Sequence, residues 1–148
     1  MSALSSVDRP RLRWLNQLGL YAVAAFAVVV GVPRDLALPI EFPLGRFTLE
    51  GRAAQVVFAV WVGAWVLVVV GLLVRKAWGC RFALVVFGLH VLLVGSNTLR
   101  WLAVNEMPLG MAMQIGVWPS LHWILADLVA MAYLHQRMQV FAGPRGTA

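Results

Sequence analysis

Apolar residues gather into four long runs, at about residues 14–32, 53–74, 82–99 and 117–138, and the charges, prolines and turn residues fall between them. A bilayer core of ~30 Å needs roughly 20 helical residues at 1.5 Å rise each, and each run reaches that length. The pattern predicts an all-α membrane protein. It is a single four-helix transmembrane bundle over residues 1–148, with no separate soluble domain, outer loops at about 33–52 and 100–116, and an ordered apolar outer loop after the first helix.

The segments between the runs sharpen this picture. Residues 1–13 read as a polar, basic tail. Trp14 marks the interface, where an amphipathic ring prefers to sit, and Pro33 ends the first span because it disfavours helix at the residue before it. In the first outer loop Ile40, Phe42 and Leu44 alternate with polar neighbours, and Phe47 and Leu49 do so after Gly45-Arg46. Glycine at the first central position suits a type II′ hairpin turn, while Pro43 confines the first arm to an edge strand. A short hairpin and an irregular loop on the membrane surface are both compatible with this pattern, and either would cap the bundle or meet a partner. The 75–81 connection, anchored by Trp78, is short enough to make spans two and three antiparallel neighbours. In the 100–116 connection the first part continues span three, Pro108 and Gly110 signal a turn, and Trp118-Pro119 open span four, proline being tolerated in a first helical turn.

Composition agrees with lipid as the solvent. Hydrophobic residues make up 61% of the chain and charged residues 12%, against about 25% charged in an ordinary soluble domain. The net charge of +6 is unevenly spread. Arg9, Arg11, Arg13, Arg75, Lys76, Arg81, Arg137 and Arg145 fall on one side of the bundle. Arg34, Arg46, Arg52 and Arg100 fall on the other, balanced by Asp35, Glu41, Glu50 and Glu106. Cytoplasmic loops carry the Lys/Arg excess, so both termini are expected in the cytoplasm, across a bacterial inner membrane. No basic stripe with interleaved aromatics suggests nucleic acid. The first span has the look of a signal-peptide core, but its length and the absence of an A-x-A site favour an uncleaved helix. Cys80 is the single cysteine, which excludes an intrachain disulfide.

The candidate chemistry is intramembrane. Asp127 is the acidic residue inside a predicted span, and at that depth an ionised carboxyl costs ~2.5–3.5 kcal/mol on insertion scales. It therefore needs a partner inside the bundle. His90 lies near the middle of span three, with Asn97 two turns along the same face; Ser120 lies two turns before Asp127. In consecutive antiparallel helices, residues at equal depth have a constant index sum, and one register aligns His90 with Asp127 and Asn97 with Ser120. This predicts a His90–Asp127 hydrogen bond near mid-membrane and an Asn97–Ser120 pair nearer the outside. The seam serves either as polar glue that fixes helix register or as a proton-bearing site, since paired His and Asp residues recur in pumps and transporters.

Other features point to packing and partners. Trp61 and Trp65 share a face of span two, and Gly88 and Gly95, two turns apart on span three, permit close backbone approach. His90, His122 and His135 lie at three depths, which does not suit bis-histidine haem. Met107, Met111 and Met113 form a thioether cluster that lacks an outer-facing cysteine or a clear histidine partner for Cu(I). No cofactor or metal is expected. No nucleophile with its base and no nucleotide-binding or metalloprotease motif points to an enzyme. The expected function is a non-catalytic accessory or scaffolding subunit of a larger membrane assembly, with a membrane-protein partner or a second copy of the chain. The alternative is a small proton-coupled transporter or carrier that uses His90 and Asp127.

Overall fold

A computed structural model describes the backbone at residues 8–31, 41–44, 47–74 and 77–141, and side chains from residue 17 to residue 138 within those ranges. The Trp14 anchor, the stop at Pro33, the turn at Gly45-Arg46 and the Arg75-Lys76 connection lie outside the described residues. Helix α1 (Asp8–Gly31) is followed by a hairpin of β1 (Glu41–Leu44) and β2 (Phe47–Glu50), then α2 (Gly51–Leu73) and α3 (Ala77–Val104). The last helix runs in three parts: α4 (Leu109–Ala112), a π-helical stretch (Met113–Val117) and α5 (Trp118–Phe141).

Three helices are long and apolar enough to cross a membrane, at Gly51–Leu73, Ala77–Val104 and Leu109–Met138. The first helix carries a shorter apolar stretch, Gln17–Gly31, because the expected span reaches beyond the residues described at either end. The expected basic tail is also shorter, since helix begins at Asp8. Pro10 is compatible with this, because a first-turn N–H has no intrahelical acceptor to lose.

The segment between α1 and α2 contains a hairpin. Its strands pair antiparallel, with Phe42 opposite Leu49 and Pro43 opposite Thr48. A two-stranded hairpin is marginal alone, and here it rests on the bundle: Phe42 meets Phe58 of α2 edge-on, with ring centroids 6.3 Å apart. Gly51 sits at φ +56°, which lets β2 turn directly into α2, since only glycine adopts that conformation freely.

One apolar core joins the four helices. It contains Leu20, Ala24 and Ala27 from α1, Trp65, Val68 and Leu72 from α2, Ala83, Val86 and Phe87 from α3, and Ala130 and Leu134 from α5. The closest backbone approach lies between Gly71 and Gly79, where a Cβ on either residue would collide with the other's main chain. Among the described residues Gly88 and Gly95 of α3 make no such approach, and their small face stays open. A Cβ on Gly88 would meet only Met131 of α5 at 3.8 Å, and one on Gly95 would meet open space. The short connection between α2 and α3 brings their ends together, so the glycines that matter lie there and not at mid-helix.

α1 runs antiparallel to α5. Gly19 lies under the ring of Tyr133, and Phe26 stacks on Trp123 at 6.1 Å and on Phe87 of α3 at 5.9 Å. The start of α1 and the end of α5 therefore share one end of the bundle. Most apolar surface faces outward: 11% of the apolar window in the last helix is buried. Such continuous apolar exposure demands a nonaqueous or protein neighbour.

Candidate functional site

The centre of the bundle holds the one buried acid among the described residues. Asp127 of α5 is 0% exposed, and its Oδ2 lies 2.6 Å from Nδ1 of His90 on α3. At this separation one proton lies between the two groups, and the bond forms whether the imidazole or the carboxyl carries it. The register argument works here because α3 and α5 are antiparallel and packed along their length, so residues at equal depth face one another.

α2 encloses the pair. The Trp65 ring lies 5.6 Å from the His90 ring at 85°, and the Trp61 ring lies 6.2 Å away at 36°. The two indoles meet edge-to-face at 5.9 Å, and Phe87 meets Trp65 in the same manner at 5.1 Å. Trp65 is fully buried and Trp61 partly so, so Trp65 belongs to the wall of the site and not to a partner surface. Two polar atoms within this enclosure have no hydrogen-bond partner among the described residues: Asp127 Oδ1 and Trp65 Nε1. One is an acceptor and the other a donor. An unpaired buried polar group typically costs about 1–3 kcal/mol, so both need an account beyond packing.

A second polar tier lies about two turns away along α3. Thr98 Oγ1 donates to Ser120 Oγ at 2.7 Å, and Ser120 donates to the Gly116 carbonyl at 2.8 Å. The expected partner of Ser120 was Asn97, one residue earlier. Asn97 lines the same cleft, of about 370 Å³, together with Thr98, Trp101, Gly116 and Ser120. The Ser120–Gly116 bond belongs to the π stretch. Pro119 has no N–H to offer the Ile115 carbonyl, and its ring crowds that carbonyl. The wider π turn absorbs both problems, and such turns concentrate at functional sites. Trp101 completes the tier, because its ring lies where a side chain on Gly116 would be.

On the other side of Asn97 and Trp101 a cleft of about 470 Å³ opens against the hairpin, lined also by Glu41, Thr48, Arg100 and Asn105. Arg100 Nη1 donates to Thr48 Oγ1 at 2.6 Å, which ties β2 to α3. The sequence held a weak signal for Thr98, whose index sum with Ser120 is one from that of the His90 pair. It held none for the Arg100–Thr48 tie, which depends on the hairpin folding back.

The remaining candidates stand apart. His122 is exposed, donates from Nδ1 to the Trp118 carbonyl of its own helix (2.7 Å), and lies against the Trp118 ring. His135 is exposed near the far end of α5, and Met107, Met111 and Met113 are exposed between α3 and α5. Cys80 is buried near the start of α3. Among the described residues no three His, Cys, Asp or Glu side chains converge as a metal site would require. In comparisons with known proteins the chain matches no family model, no curated protein and no solved structure.

The pair can do two things chemically. It can pin α3 to α5 at one register and rotation. It can also hold a proton shared over a short N···O distance, and pass it on if a second acceptor reaches Asp127 Oδ1.

Proposed function

We propose that this chain is a four-span integral membrane protein, with both termini at the basic, cytoplasmic face of a bacterial inner membrane, that serves as a non-catalytic subunit of a larger membrane assembly. The observation that carries this reading is the enclosure of Asp127, the one buried acid among the described residues. The His90–Asp127 pair is walled by Trp61, Trp65 and Phe87, and neither residue lines the outer clefts. His90 keeps 13% of its side-chain surface exposed while Asp127 has none, and a hydrogen bond with its acid fully enclosed suits a helix-locking device, a part interhelical hydrogen bonds in membranes commonly play. The outward apolar faces, the ordered hairpin and the exposed ends of α3 and α4 then serve for assembly with a membrane-protein partner or a second copy.

A second reading, a proton-coupled carrier, is favoured by one specific observation: Asp127 Oδ1 is fully buried and unpaired. Ionisable groups placed this way within spans are common in proton relays, and the last helix is interrupted by a π turn at the outer cleft, as transporter helices often are.

Reconstitution separates the two. The purified chain is placed in liposomes with an internal pH dye, and a proton gradient is applied. The subunit reading expects no flux above protein-free vesicles, together with stoichiometric recovery in a larger complex from native membranes. Flux that disappears in Asp127→Asn while the protein stays folded overturns it in favour of the carrier. Orientation is tested in a Cys80→Ala background: an impermeant maleimide on intact cells should label Phe47→Cys and not Ser5→Cys.

A further inference from the structure

α1 and α5 meet less closely than the other neighbours and leave between them an apolar groove of about 480 Å³, lined by Ala22, Phe26, Ala126 and Val129 and closed at one end by Tyr133 lying across Gly19. Just beyond that end, one turn along α5, the Arg137 guanidinium donates from Nε to the Tyr133 hydroxyl at 3.2 Å and sits 5.7 Å from the centre of its ring. This is the end at which α1 begins, with Arg9, Arg11 and Arg13 in its first turns. An open apolar channel thus terminates in a cation held in place by a tyrosine hydroxyl, at the most basic end of the chain. We propose that this groove binds one anionic phospholipid, its acyl chain between α1 and α5 and its phosphate on Arg137. Basic pockets between helices on the cytoplasmic side favour such headgroups, and the forked guanidinium suits a phosphate better than a point charge does. A zwitterionic lipid would fill the same groove but gain less at Arg137, because its own cation offsets the phosphate.

The inference rests on the chain being membrane-embedded, as proposed above, and the test separates the two. The full chain is placed in nanodiscs of phosphatidylcholine and phosphatidylglycerol in equal parts, and the lipid retained on the released protein is counted by native mass spectrometry. Phosphatidylglycerol should be retained about fivefold over phosphatidylcholine, as expected for one basic contact of ~1 kcal/mol. Arg137→Gln should bring the ratio to parity, Arg137→Lys should keep most of it, and Ala22→Leu should lower retention of both lipids by filling the groove. Should Arg137→Gln fail to fold, the same preference must fall with added salt in the unaltered protein. Equal retention of the two lipids, or a preference that survives Arg137→Gln, overturns the headgroup assignment. Retention untouched by Ala22→Leu, or a dimer that Ala22→Leu dissolves, overturns the groove as the lipid's seat. Absence of any retained phospholipid, together with protein that stays monodisperse without detergent, would instead overturn the membrane reading itself.

Discussion

α5 has two flanks, and they are built differently. Toward α3 it presents Asp127 and Ser120, each hydrogen-bonded across the seam, with Trp65 and Phe87 closing the space behind. Toward α1 it presents Ala126, Val129 and Tyr133 along an open groove, where one stacked ring pair and one tyrosine on a glycine make the contact. In water the apolar flank would hold the bundle together and the polar one would be the liability. In lipid, the surroundings proposed above for this chain, the order reverses: apolar faces gain little by meeting each other, and packing and hydrogen bonds decide which helices associate. The α3–α5 seam therefore specifies the bundle, while the α1–α5 flank remains free to take up something else.

The largest effect expected from breaking the seam is His90→Ala. It leaves the Asp127 carboxylate buried without a partner, and removing one member of a buried pair costs about 3–5 kcal/mol. Unfolding in mixed micelles should register that loss. Replacing both members, His90→Phe with Asp127→Leu, removes the stranded charge and should return stability to within about 1.5 kcal/mol of the parent, as volume-conserving core exchanges do. A double variant as unstable as His90→Ala alone would mean that the pair contributes more than mutual satisfaction. On the other flank, Gly19→Ala drives a methyl into the Tyr133 ring. Overpacking of this kind typically costs about 1–3 kcal/mol, and the value should fall at the low end because a tyrosine on an open groove can swing aside. The smallest effect is expected at the outer tier. Thr98→Val should cost about 0.6 kcal/mol, the average for an interhelical hydrogen bond in a membrane, measured by the same unfolding assay. If Gly19→Ala proved more damaging than His90→Ala, the ranking of the two flanks would be reversed.

The two flanks were also unequally legible in the sequence. The His90–Asp127 contact follows from an index sum, because the two helices are antiparallel and intramembrane polar residues are few. At the second tier the hydrogen bond to Ser120 comes from Thr98, the neighbour of Asn97, which lines the same cleft. Seven residues fall ~20° short of two full turns, and the π stretch next to Ser120 shifts the local phase further. Pro119 was read as an opening residue because proline favours a first turn. The helix instead starts at Leu109 and runs through it, which required a π turn that no periodicity announces. The hairpin was left open between two readings because Pro43 weakens the pattern, and tertiary support from Phe58 and Arg100 decides it. Spacing singles out Gly88 and Gly95, whose face is open, while the close approach within the chain lies at Gly71 and Gly79, where the short connection forces the backbones together. Nothing in the α1–α5 flank had a sequence signature, since alanine, valine and phenylalanine read alike whether they face a neighbour or a gap.

The π stretch has a consequence for how the last helix tolerates change in its length. A turn of this kind accommodates one surplus residue locally, and the helix on either side keeps its phase. Removing Gln114 should therefore relax Met113–Val117 into ordinary α-helix and leave Asp127 pointing at His90. Removing one residue between Leu121 and Leu125 would rotate everything beyond it by about 100° and swing the carboxylate out of the seam. The last helix thus carries a spare joint, placed on the side of Ser120 away from the acid, and insertions or deletions accumulating over evolutionary time should be found there and not below it.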